Sequence, residues 1–365
     1  MFKFPWKNRP PKTGKTKGDS IIELNRSEFE LDPAAIPPGS QTKRCPKCNR
    51  VFDVKAVICH VDSTLLMLSK PADVMLDKPI TATRKDGTTF DIHCKRNIGK
   101  GSLCEVFDAE NTATQQRHVV KLLLSNLVWD TKSAKRFGKG GEIALSLQHE
   151  NIVRVDGIGT LESPKDKSLP FMVCEYLEGR QLNELITKDC LPTVHQVLDI
   201  FEQVCLALEY AHTQQITHGD LKPTNICLVE DGEKTIVKVA DFAVAERLFR
   251  DLEWDKVSTM TTSIYGCSTY LSPDFMDVRV PTPTSDIYSV GCIMYECLTG
   301  TPPFTGGNDF AIILAHRDTP PRPFAVEYTP KDVADLVMKA LEKDPRKRWQ
   351  SAAELRDAIV KAKSA

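Results

Sequence analysis

The chain has 365 residues, 41% hydrophobic and 27% charged, an ordinary globular composition with length for about two domains that bury their own cores. A formal net charge of -1 removes the electrostatic basis for broad nucleic-acid binding, and no sequence-specific nucleic acid is expected as a partner. No apolar run approaches the roughly 20 residues of a membrane-spanning helix, and 12 Cys scattered through segments patterned as helix and strand, behind no signal peptide, point to a reducing, cytoplasmic setting.

Residues 1–44 are rich in Pro, Lys, Arg, Gly, Ser and Thr, with Phe2, Phe4 and Trp6 set among Lys3, Lys7, Arg9, Lys12, Lys15 and Lys17. Such a segment buries too little apolar surface to order itself. A solvated basic tail is expected, with peripheral contact to acidic lipid or a partner as the functional alternative. Residues 45–69 carry Cys45-Pro46-Lys47-Cys48 and, further on, Cys59-His60-Val61-Asp62. Two thiolates of a CxxC pair converge on one tetrahedral zinc and need a second pair to complete it. Asp62 is preferred to His60 because its spacing from Cys59 repeats that of the first pair. Cys45, Cys48, Cys59 and Asp62 are therefore the candidate Zn2+ ligands, against thiols without metal in a small fold. The pattern looks like a short zinc-ribbon module, and a unit of about 25 residues has so little core that it needs such a staple. Residues 70–88, with Pro71, Pro79 and Gly87, read as a linker ending in an extended arm.

From residue 89 a two-lobed pattern begins, with residues 89–177 forming one lobe and 178–365 the other. Alternation predicts strands over Phe90–Ile98, Leu103–Glu110 and Arg117–Leu124, a helix over Ser133–Leu147, and further strands over Ile152–Gly159 and Leu169–Cys174. After Leu182 helices dominate, over Val194–Gln214, Ser285–Leu298, Asp309–Arg317, Lys331–Leu341 and Ala352–Lys363. The fold class is α+β.

Between the first two of these strands lies Ile98-Gly99-Lys100-Gly101-Ser102-Leu103-Cys104-Glu105-Val106, where Gly99 and Gly101 let backbone amides approach phosphate oxygens. His118-Val119-Val120-Lys121 ends the third strand, and Glu175-Tyr176-Leu177 follows the fifth. His218-Gly219-Asp220-Leu221-Lys222-Pro223-Thr224-Asn225 precedes a predicted hairpin that leads to Asp241-Phe242-Ala243. These segments supply a carboxylate to accept a hydroxyl proton, cations for a moving phosphate and two oxygen ligands for magnesium, the needs of phosphoryl transfer.

The set resembles the motifs of bacterial-type, eukaryotic-like Ser/Thr protein kinases, over residues 90 to about 360. The resemblance implies a protein kinase fold, ATP and Mg2+ as cofactors, and protein substrates; no span or external sensor is expected after the resembling segment. It implies that Asp220 accepts or orients the substrate hydroxyl proton, Lys222 neutralises the γ-phosphate, and Asn225 and Asp241 ligate Mg2+. Lys121 would grip the α- and β-phosphates, Ile98, Gly99, Gly101, Val106 and Val119 would cover the nucleotide, and backbone groups of Glu175 and Leu177 would meet the adenine edge, with Cys174 as a small gatekeeper. His218 and Phe242 read as packing residues, Asp286 as the brace of the catalytic loop, and Arg348 as the ion-pair partner of Asp274.

Several positions depart from the family pattern. Gly219 stands for Arg, Ala243 for Gly, Cys104 for the third glycine of the phosphate loop and Cys267 for Thr. The helix Glu that should pair with Lys121 falls at Gly140, nine residues before His149, while Glu142 lies about 200° around an ideal helix. Either the helix is shifted so that Glu142 makes the pair, or no such pair exists. Every group that touches phosphate, metal or proton is retained and the losses concern positioning, so the expected function is a Ser/Thr protein kinase of reduced speed. The alternative is a pseudokinase that serves as a nucleotide-binding or signalling scaffold.

Overall fold

The computed structural model describes residues 42–45, 50–53, 67–68, 78–101, 103–124, 131–162, 168–187, 191–232, 234–242, 268–274, 280–325 and 329–364. The chain divides into two compact units, Met1–Ser69 and Lys70–Ala365. In the first, strands β1 (Thr42–Arg44), β2 (Val51–Asp53) and β3 (Met67–Leu68) form an antiparallel sheet in the order β2-β1-β3. The Cys45 N–H donates to Arg50 O at 3.0 Å and closes the β1–β2 turn, with Cys45, Val51 and Phe52 buried beneath it. Cys48, Cys59 and Asp62 lie outside the described residues.

The second unit begins with a six-stranded barrel. Strands β4 (Ile80–Thr83), β5 (Thr89–Lys100), β6 (Cys104–Asn111), β7 (Arg117–Leu123), β8 (Val155–Glu162) and β9 (Ser168–Glu175) close in the order β4-β5-β6-β7-β9-β8. The segment expected to be a linker with an extended arm thus contributes β4, which buries Ile80 and Ala82 and pairs with both β5 and β8. Two glycines of β8 make room for it. A Cβ on Gly157 would stand 2.7 Å from the Phe90 ring, and one on Gly159 would stand 2.8 Å from Thr81 O. β8 also starts three residues later than the alternation predicts. Ile152 is drawn instead into the core of the helical lobe and forms a parallel bridge to Val239. Helix α1 (Thr131–Ser146) packs against β8 and β9.

The second lobe is built on α3 (Val194–Thr213), which follows the one-turn helix α2 (Leu182–Leu185). Thr193 and Gln196 form a reciprocal capping box at its start, and Val197, Phe201, Val204, Leu208 and Ala211 carry its buried stripe. Strands β10 (Gly179–Gln181), β11 (Ile226–Asp231) and β12 (Lys234–Val239) form a small antiparallel sheet, and the β11–β12 hairpin delivers Asp241. Helix α4 (Pro283–Thr299) starts on the Thr282 cap and stops at Gly300, whose φ of 75° is the left-handed turn that glycine allows. Helices α5 (Asp309–Asp318), α6 (Lys331–Ala340) and α7 (Ala352–Lys363) complete the lobe.

One buried polar contact between α4 and α5 makes this lobe sensitive to acid. The His316 ring sits 2.9 Å from the Tyr288 hydroxyl through Nδ1 and 3.0 Å from Thr269 O through Nε2. Burial, assisted by the Lys343 ammonium, pushes its pKa down to about 4. The unfolded chain takes up a proton near pH 6.5 that the native chain refuses until about pH 4, so stability is complete above about pH 6.5 and is lost on acidification through that window, by at most about 3 kcal/mol. Urea unfolding of parent and His316→Gln at pH 7 and pH 4.5 tests this. The parent should lose more stability between the two pH values, and equal losses would sink the assignment.

Candidate active site

The loop between α3 and β11 is shaped by one carboxylate. Asp286, in the first turn of α4 and 1% exposed, accepts the backbone N–H groups of His218 at 2.8 Å and Gly219 at 2.9 Å, and lies 2.9 Å from His212 Nε2. These donors hold its pKa below the ordinary carboxylate range although burial acts the other way. Gly219 has φ 75°, a left-handed backbone that strains residues with a Cβ, so glycine suits this position. His218 is fully buried. Its Nε2–H donates to Ala240 O at 2.8 Å, its Nδ1 accepts the Asp220 N–H at 3.2 Å, and its ring lies 4.7 Å from that of Phe242. Burial lowers its pKa, which keeps it neutral and orienting rather than charged.

Around this frame the chemistry-bearing side chains converge. Lys222 forms a close ion pair with Asp220, and Asn225 Nδ2 donates to Asp220 O at 2.9 Å. Burial raises the Asp220 pKa against the opposing pull of Lys222, which favours proton acceptance. Asp241 reaches across to Lys121, with Oδ1 2.7 Å from Nζ. Burial alone would neutralise both groups, but each charge holds the other: the Asp241 pKa is lowered and the Lys121 pKa raised. Asp241 has φ 66°, a strained conformation for a residue with a Cβ and common at functional sites.

The barrel supplies the opposite wall. Val106 and Lys121 are cross-strand partners, and Val119 lies two residues before Lys121, so all three share one face. Ile98 is 45% exposed at the mouth. The Gly99 N–H donates to Asn97 Oδ1 at 3.0 Å and the Gly101 N–H to Cys104 O at 2.8 Å, folding the glycine turn back on itself, and a Cβ at Gly99 would meet nothing within 4 Å. At the lobe junction the Glu175 N–H donates to Arg154 O at 3.0 Å. The Glu175 carboxylate takes Lys238 at 2.9 Å, and Leu177 lies half-buried two residues on. Burial raises the Cys104 thiol well above its ordinary range and pushes Cys174 up to about 12, so both stay protonated beside Lys121.

The uncertainty over Glu142 is resolved by α1. Glu142 faces solvent and pairs with Lys139 at 2.9 Å, while Lys121 pairs with Asp241. The helix is not shifted to bring Glu142 inward. The Lys121–Asp241 pair spans 120 residues and carries no local sequence signal, so sequence reading missed it; His212, the third partner of Asp286, was missed because it reads as one more residue of α3. Ala243 and Cys267 lie outside the described residues.

Comparison with known proteins agrees with this geometry. The family model "Protein kinase domain" matches residues 92–358. A probable serine/threonine-protein kinase PknB of Corynebacterium glutamicum is 36% identical over 265 residues, 71% of this chain and 40% of that protein. The serine/threonine-protein kinase PknB of Mycobacterium tuberculosis is 34% identical over 271 residues, 72% of this chain and 41% of its own length. The chain thus spans about two fifths of the length of these curated relatives. The crystal structure of the Mycobacterium tuberculosis PknI kinase domain superposes with a TM-score of 0.57 at 20% identity, covering 74% of this chain and 95% of that one, a likeness of fold. With the family model spanning most of the sequence and the barrel, helical lobe and interlobe constellation all in place, this chain belongs to the protein kinase domain family.

Proposed function

We propose that the chain is a Ser/Thr protein kinase that transfers the γ-phosphoryl group of ATP to protein hydroxyls. The observation that carries this reading is the convergence of Lys121, Asp220, Lys222, Asn225 and Asp241 on one interlobe site, with the pKa of Asp220 raised and that of Asp241 lowered. Asp220, its pKa raised by burial, takes or orients the proton of the attacking hydroxyl. Lys222, held beside it, neutralises charge on the transferred group, and Lys121 positions the remaining phosphates. Asp241, kept ionised by Lys121, and the amide oxygen of Asn225 are the hard oxygen donors that magnesium takes, and they would hold it when it binds. Bound magnesium supplies neutralisation of phosphate charge. Ile98, Gly99, Gly101, Val106, Val119, Glu175 and Leu177 would cover the nucleoside and phosphates when ATP binds.

Incubating the protein with γ-labelled ATP, magnesium and a basic acceptor protein, followed by phosphoamino-acid separation, tests the proposal. Label on Ser or Thr is expected. No transfer to itself or to the acceptor, with no melting shift on adding nucleotide, would leave the kinase reading without support.

For the first unit we propose zinc at Cys45, Cys48, Cys59 and Asp62, supported by the CxxC and CxxD spacing and by the buried position of Cys45 at a closed turn. Among the described residues no cluster of three His, Cys, Asp or Glu side chains that could hold a metal occurs, and of the four candidate zinc ligands Cys45 alone is described. Metal analysis of the purified parent beside Cys45→Ser decides: about one zinc per parent chain is expected, and none would end the proposal.

A further inference from the structure

Lys121 lacks a helix carboxylate, yet α1 remains seated on the sheet beside it, and two glycines are buried in that seat together with Phe137 and Ala144. Lys121 on β7 is directly opposite Met172 on β9, so the two side chains leave the same face of the sheet. A Cβ built on Gly141 would stand 3.3 Å from Met172 Cγ and 3.2 Å from Ile158 Cγ2 of β8. Gly140 and Gly141 are both buried. Ala144, one turn after Gly140, lines the same cavity as Lys121, Met172, Asp241 and Phe242, so Gly140 lies on the side of α1 turned to Lys121. Gly138 on the same helix has nothing within 4 Å of an added Cβ. Close approach, rather than chain flexibility, therefore distinguishes the buried glycine from its neighbour, because helix propensity penalises both equally.

We infer that the close packing of the Gly141 backbone on Ile158 and Met172 takes over from the absent Lys–Glu ion pair in holding α1 at its distance from Lys121, making Gly141 a positioning residue for phosphoryl transfer. The inference rests on the kinase reading above. Through Ala144 and Leu147 the seat fixes one wall of the cavity that holds Phe242, and Phe242 directly follows the proposed metal ligand. Glu142 plays no part in it.

The test compares the full chain with Gly141→Leu, Gly141→Leu/Met172→Ala, Gly138→Ala and Glu142→Ala. Gly141→Leu should lower kcat about 100-fold by displacing α1, with the KM for ATP changing less than about threefold because the nucleotide wall belongs to the strands. Removing the Met172 side chain should restore at least tenfold of that loss, a rescue that a general loss of folding would not show. Gly138→Ala and Glu142→Ala should keep the parent kcat. Parent rates in Gly141→Leu, or no recovery on adding Met172→Ala, would overturn the inference. Should the parent transfer no phosphate, the kinase reading fails separately, and the seat is then read from amide hydrogen exchange of α1 in the free proteins: faster in Gly141→Leu and restored in the double variant if correct, the same as the parent in Gly141→Leu if wrong.

Discussion

Asp241→Ala is expected to reduce phosphoryl transfer by roughly a thousandfold or more while the protein stays folded. Two losses combine in one substitution. The first is the only ionised oxygen donor proposed for magnesium; charge stabilisation by a bound metal is worth several kcal/mol in the transition state, and each 1.4 kcal/mol is a factor of about ten. The second is the partner of Lys121, whose ammonium is 2.7 Å from the Asp241 carboxylate and largely buried. Without Asp241, burial acts on Lys121 without its main opposing charge, and the cation meant for the phosphates is weakened as well. Asp241→Asn separates the two, since it keeps the volume and one oxygen but removes the charge, and its rate should lie between those of parent and Asp241→Ala. Initial rates with labelled ATP, taken with melting curves of the three proteins, give the answer. An alanine variant that keeps more than about a tenth of the parent rate would show that Asp241 does not hold the metal for this reaction.

Much of the site was legible because its chemistry is local in sequence. His218 to Asn225 occupy one loop whose side chains need only short backbone segments to converge, and a single hairpin carries the chain on to Asp241. What the sequence left open depends on distant partners. The spacing to His149 placed the missing carboxylate at Gly140, but only the packing of α1 shows that Glu142 points outward to Lys139 and that Lys121 has turned to Asp241. Strand β4 shows the same limit in part: Ile80-Thr81-Ala82-Thr83 is too short and too polar to announce a strand, and although it pairs locally with β5, its closure onto β8 needs the space left by Gly157 and Gly159, far along the chain. Ile152 fits a strand by alternation, yet burial in the helical core outweighs that local preference.

Arg348→Ala should be the most damaging change away from the catalytic groups, costing about 3–5 kcal/mol, because it breaks a buried ion pair and strands the acceptors around it. The Arg348 side chain is 0% exposed and makes four hydrogen bonds and an ion pair. Nε donates to Glu342 O at 2.7 Å, Nη1 to Ser272 Oγ and Thr284 O at 3.0 Å each, and Nη2 to Lys343 O at 3.0 Å, with Asp274 Oδ1 2.7 Å away. The guanidinium also lies 4.8 Å from the Tyr288 ring. One planar group thus ties the Ser272–Asp274 segment to the start of α4 and to the turn after α6. Asp274 in turn is held ionised against burial by Ser272 and Arg348. Arg348→Lys is not a mild substitute, since an ammonium has three donors in a tetrahedral array and leaves at least two acceptors unpaired in the interior. Lysine should therefore recover less than half of the stability that alanine loses. Urea unfolding of parent, Arg348→Ala and Arg348→Lys measures both values, and a lysine variant within about 1 kcal/mol of the parent would mean that charge alone, without the fork of donors, holds this junction.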